Sequence, residues 1–148
     1  MHPRRVLEHI FISRAFTAYQ LFSLVRDRLD EALNKYGSKL IILSNVIDRF
    51  IDPDVPSTEA KDLLVRICLK LKAVARSGTI VVTAQPFHYP SKHSIILEAV
   101  LFGKASVILS LNESYGCLNL TLEKHPKLKP FNVKLTGTHV SLTDFLEV

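Results

Sequence analysis

The chain has 148 residues, of which 47% are hydrophobic and 22% charged. That is enough for one domain with a sizeable core, and the composition is that of an ordinary globular protein rather than a disordered one. No apolar run approaches the ~20 residues that span a bilayer, and Met1-His2-Pro3-Arg4-Arg5 lacks the apolar block of a signal peptide. These features predict no membrane association and a cytoplasmic location.

The net charge of +5 fits a nucleic-acid partner and equally a solvated basic surface. Cys68 and Cys117 stand in no metal-ligand spacing and read as reduced core thiols, and no metal site is expected.

Taken in chain order, Ile10-Phe11-Ile12-Ser13 reads as a first strand. A helical pattern follows over residues 20–36, with Leu21, Leu24, Val25, Leu29 and Leu33 on one face and Gly37-Ser38 as its stop. Leu40-Ile41-Ile42-Leu43 is a second strand. A loop with Pro53 and Pro56 leads to a helix capped by Ser57 or Thr58, with Glu59 in its first turn and Leu63, Leu64, Ile67, Leu71, Val74 and Ala75 as its buried stripe. Gly78 closes that helix and residues 79–83 form a third strand.

The first half therefore alternates strand, helix, strand, helix, strand, the pattern of crossovers in a parallel sheet. The second half changes character. A loop rich in Pro and His spans residues 85–94, and a short helix spans 94–102. Strands over 105–111 and 117–123 flank a hairpin loop, residues 131–135 extend the meander, and 140–148 form a short closing segment.

The two central runs, Lys39-Leu40-Ile41-Ile42-Leu43-Ser44 and Thr79-Ile80-Val81-Val82-Thr83-Ala84-Gln85, are continuous and apolar and end in polar residues. Such runs are typical of strands buried on both faces of a parallel sheet. Chemistry in such sheets sits at the carboxyl ends of the strands, which puts Ser44 and Gln85 forward.

The order of these segments resembles the carboxyl-terminal half of the RecA/RadA recombinase core, of the archaeal RadA/RadB-like kind. Val6-Leu7-Glu8-His9-Ile10-Phe11-Ile12-Ser13-Arg14-Ala15-Phe16 is similar to the strand entering the family's "RAF…Q" turn, with Gln20 following. Leu40-Ile41-Ile42-Leu43 resembles the Walker B strand, and Thr83-Ala84-Gln85-Pro86 resembles "TNQV" with Ala84 and Pro86 as departures. Residues 123–130 are similar to the late "SPxLP" element, with Pro126 as its proline and Lys124 where the family often has Asp.

The resemblance implies a single three-layer RecA-like domain over residues 1–148: a parallel sheet with helices on both faces and an antiparallel carboxyl-terminal extension, incomplete at its amino-terminal side. It implies nucleotide-sensing roles for Ser44, Gln85 and Pro126. It implies two DNA loops. The first is Asp48-Arg49-Phe50-Ile51-Asp52-Pro53-Asp54, whose Arg49 is offset by three Asp. The second is Pro86-Phe87-His88-Tyr89-Pro90-Ser91-Lys92-His93, in which His88, Lys92 and His93 would meet phosphate and aromatic rings would stack on bases.

Three departures bear on activity. There is no G-x-x-x-x-G-K-[ST] phosphate loop. The strand of that loop and the acidic residue that positions the attacking water would both lie before Met1, and Ser44 replaces the Walker B Asp. The expectation is a DNA repair and recombination protein without a functional ATP site. It would act by binding a recombinase paralogue, itself as a homo-oligomer, or single- or double-stranded DNA. ATP and magnesium are the family's cofactors, but none is expected for this chain alone. Two alternatives stand beside this: a fragment of a complete DNA-dependent ATPase, and a structural α/β module without a nucleic-acid role.

Overall fold

A computed structural model describes residues 3–85, 91–114 and 117–135. The chain divides into two compact units, Arg14–Ala105 and the pair Met1–Ser13 with Ser106–Val148.

In the pair of terminal segments, helix α1 (Pro3–Leu7) opens the chain. The expected strand at residues 10–13 does not form. The His9 and Ile10 amides donate to the Val6 and Leu7 carbonyls at 3.1 and 3.2 Å, so the backbone leaves α1 in a turn. An apolar run supplies side chains for a strand but not the partner ladder it requires.

In Arg14–Ala105, helix α2 (Ala18–Ser23) is capped by Thr17, whose hydroxyl accepts from the Gln20 amide at 3.2 Å. It passes through a π-helical turn, Leu24–Arg28, into α3 (Leu29–Tyr36), which ends on Gly37 at φ +60°. A left-handed residue there ends a helix without the steric cost a Cβ would bring.

Strand β1 (Leu40–Ser44) and a 3-10 turn, Ile47–Phe50, lead to α4 (Ser57–Arg76). Its Ala60, Leu63, Leu64, Ile67, Cys68, Leu71 and Val74 are buried at the three- and four-residue spacing of one helical face. Ala75, expected in the stripe, is exposed, because a residue directly after Val74 is turned about 100° away. Strand β2 (Ile80–Ala84) and α5 (Lys92–Lys104) complete the unit. Phe50, Leu64, Ile67, Leu97 and Val46 are the largest fully enclosed side chains.

β1 and β2 pair in parallel, from Leu40 opposite Ile80 to Ser44 opposite Ala84. Leu43 and Val81 pack against the core. The opposite face is open: Leu40, Ile42, Ile80 and Val82 are 51, 65, 62 and 43% exposed. Burial on both faces, expected from the continuous apolar runs, is thus corrected to burial on one. Those runs alternate inward and outward like any strand.

The second sheet is an antiparallel meander of β3 (Ile108–Ser114), β4 (Cys117–Lys124) and β5 (Phe131–Leu135) in that order. β4 begins at Cys117 as expected, while β3 runs further toward the turn than expected, since Ser114 still pairs with Cys117. Leu109, Leu111, Leu118, Leu120, Leu122, Phe131 and Val133 share one face. Polar residues hold the other, where Ser110 donates to Glu123 and Thr121 donates to Asn132 at 2.6 Å. The closing segment expected over 140–148 lies outside the described residues.

The architecture is α/β, with a two-stranded parallel sheet in one unit and a three-stranded antiparallel sheet in the other. No helix among the described residues is long and apolar enough to cross a membrane.

Candidate functional site

The carboxyl ends of β1 and β2 bring Ser44 and Gln85 to neighbouring positions, as the strand register requires. Ser44 is the last residue of β1 and exposed. Asn45 follows in the left-handed region at φ +53°, a conformation Asn adopts more readily than most residues. Its amide donates to the Ala84 carbonyl at 2.9 Å and fastens the two strand ends together. Gln85, just beyond β2, is half-buried. Its Nε2 is enclosed and has no hydrogen-bond partner among the described residues. An enclosed amide without a partner costs about 1–3 kcal/mol, so this donor is poised for an acceptor.

The chemistry of these ends does not fit a magnesium–nucleotide site. Mg²⁺ is held through carboxylates and phosphate oxygens, and Ser44 offers only a neutral hydroxyl. The described residues contain no cluster of three His, Cys, Asp or Glu side chains arranged for a metal ion.

The residues expected at the DNA loops divide. His88 lies outside the described residues. Arg49 is half-buried on the 3-10 turn, and Lys92 is exposed at the first position of α5. His93 is built into the fold. Its Nε2 lies 3.1 Å from the Phe50 carbonyl, and its Nδ1 lies 2.9 Å from Ser57 Oγ. A nitrogen facing a carbonyl must donate, so in the neutral ring Nδ1 accepts from the Ser57 hydroxyl.

Both ring nitrogens are therefore used inside the protein. They join the start of α5, the 3-10 turn and the start of α4. The cap expected from Ser57 or Thr58 does not form: α4 begins at Ser57, which leaves Pro56 at the cap position without a capping side chain, and the Ser57 hydroxyl serves His93. Sequence reasoning assigned His93 to phosphate and missed Ser57 as its partner. The two are 36 residues apart, and only tertiary packing joins them. Ser91 caps α5 by accepting from the Ser94 amide at 3.0 Å.

Pro126 lies in the connection between β4 and β5, in the other compact unit from Ser44 and Gln85. His125 organises that connection: its Nδ1 accepts from the amides of Lys127 and Leu128 at 3.1 and 3.0 Å.

A cavity of about 200 Å³ lies between the α2–α3 segment and α4, lined by Phe22, Val25, Arg26, Arg66, Ile67 and Lys70. Its cations are neutralised within the protein. Arg26 pairs with Asp27 at 2.6 Å, Arg66 with Asp62 at 2.8 Å, and Lys70 with Asp30. Hydrogen bonds from Arg26 and Ser23 hold the Asp27 carboxyl below its ordinary range. Across the same helices, a hydrogen bond to Glu59 pushes the Tyr19 hydroxyl up. Burial pushes the Cys68 thiol up, the largest influence on it.

Comparison of the chain with protein-family models and with curated proteins gives no match.

Proposed function

We propose that this chain is a RecA-fold protein of DNA repair and recombination that works by binding, not by hydrolysing ATP. Its partners are a recombinase protomer, a second copy of the chain, or DNA. The observation that carries the reading is the pair of strand ends. Ser44 and Gln85 stand side by side at the carboxyl edge of a parallel pair, where α/β sheets place ligands. Gln85 presents an enclosed donor without a partner among the described residues, while the position that would hold magnesium carries a hydroxyl. The arrangement supports sensing or docking and gives no support to phosphoryl transfer.

The open apolar face of β1 and β2 favours a second reading. In it the chain is the latter part of a DNA-dependent ATPase whose phosphate-binding half covers that face. Apolar sheet surface of this kind favours burial against a partner.

A phosphate-release assay with ATP, magnesium and single-stranded DNA tests the first reading. The expected result is no release above the protein-free control. Magnesium-dependent turnover by the chain alone overturns it.

A further inference from the structure

We infer that the connection between β4 and β5, residues 124–130, together with Phe131, is a contact for single-stranded nucleic acid. Lys127 and Lys129 meet phosphates there, and the Phe131 ring stacks on a base. This rests on the nucleic-acid branch of the reading above and gives it a location.

The argument begins with charge. Residues 124–135 contain Lys124, Lys127, Lys129 and Lys134 and no Asp or Glu. The preceding acid, Glu123, accepts a hydrogen bond from Ser110 on the polar face of the meander. Four cations elsewhere are paired with acids: Arg4 with Glu8, Arg26 with Asp27, Arg66 with Asp62 and Lys70 with Asp30. Lys127 and Lys129 are exposed, and among the described residues neither forms a salt bridge. The charge of Lys127 and Lys129 is therefore not offset by an ion pair among the described residues.

The second element is preorganisation. His125 Nδ1 accepts from two successive amides, Lys127 and Leu128. The nitrogen that accepts carries no proton, so the ring donates from Nε2. Pro126 and Pro130 fix φ on either side. The lysines thus rise from a backbone already ordered, and binding need not immobilise the turn.

The third element is the ring. Phe131 directly follows Pro130, opens β5 opposite Leu122, and is 47% exposed. An exposed aromatic beside cations is the arrangement by which proteins hold unpaired bases. A duplex keeps its base faces stacked and offers this ring nothing. Lysine contacts are point charges that follow a backbone without reading sequence. At the loops expected from the sequence, by contrast, Arg49 is half-buried and both nitrogens of His93 are occupied.

The test is fluorescence anisotropy with a labelled oligothymidylate of about twenty nucleotides, titrated between about 50 and 200 mM salt. Single-strand binding loses about 0.7 in log–log salt slope per phosphate contact. The double substitution Lys127→Ala and Lys129→Ala is expected to flatten the slope by about 1.4 and to weaken binding about 25-fold near 0.1 M salt. Phe131→Ala is expected to weaken binding at least about fivefold without changing the slope, and Phe131→Trp to restore it. Circular dichroism confirms that each variant is folded.

Unchanged affinity and slope in the lysine variant overturns the inference, as does equal binding of a duplex insensitive to Phe131→Ala. So does a lysine-dependent loss of binding to phosphatidylserine vesicles with oligothymidylate binding intact. If the wild-type chain fails to bind oligothymidylate at low salt, the nucleic-acid branch falls with the inference. If it binds and the variants match it, the location alone is wrong.

Discussion

His93→Ala separates the role this residue has in the fold from the one its place in the sequence implies. In the structure the imidazole bridges three elements, donating to the Phe50 carbonyl at 3.1 Å and accepting from Ser57 at 2.9 Å. Phe50 is fully enclosed, so its carbonyl loses a partner in a position where water replaces it poorly. A hydrogen bond of this kind contributes about 0.5–1.5 kcal/mol net, and an unpaired carbonyl costs more. The Ser57 end is exposed and stands at the lower end of that range. The sum is about 2 kcal/mol, or about 4–8 °C in Tm for a chain of this length. Ser57→Ala alone should cost about 0.5 kcal/mol, because water reaches that end. The two substitutions share a bond, so the double variant should fall short of their sum by about 0.5 kcal/mol or more. Thermal unfolding of the three variants by circular dichroism measures this. A His93→Ala protein that melts with the wild type, yet binds DNA less well, would refute the clamp and restore the phosphate role.

Three further outcomes follow from burial. Leu64→Ala removes one of the largest fully enclosed side chains of α4 and should destabilise Arg14–Ala105 by about 2–5 kcal/mol in urea unfolding; a loss below 1 kcal/mol would mean that α4 does not anchor this core. Burial raises the Cys68 thiol pKa while the unfolded chain keeps the ordinary value, so stability is complete below the ordinary thiol range and falls as pH rises through it. In an alkylation time course Cys117 should label first and Cys68 only as the protein unfolds; equal rates at neutral pH would contradict the burial of Cys68.

Helices were the most legible part of the sequence. The stripe Leu63, Leu64, Ile67, Leu71 and Val74 is a local periodic signal, and α4 buries it. The core strands were also legible, because Leu40-Ile41-Ile42-Leu43 and the run ending at Ala84 are apolar, bounded and separated by a helix.

What covers a strand was not legible. Apolar residues on both sides of β1 and β2 are compatible with one buried face or two, and the choice depends on elements elsewhere. Residues 10–13 failed for the same reason: side-chain composition is local, but the ladder a strand needs is not. Within the candidate site, Ser44 and Gln85 were legible as strand ends. The Asn45 amide on Ala84, the Ser57–His93 pair and the His125 turn were not. The first two join residues 36 or more apart, and the third needs a backbone fold that places two amides on one ring nitrogen.

The most direct test of the account is the equilibrium binding of the wild-type chain to single-stranded DNA as a function of salt, without nucleotide. A protein that works by binding should hold the strand with no ATP present, with affinity falling linearly in log–log form as salt rises. An affinity that appears only when ATP and magnesium are added would contradict it.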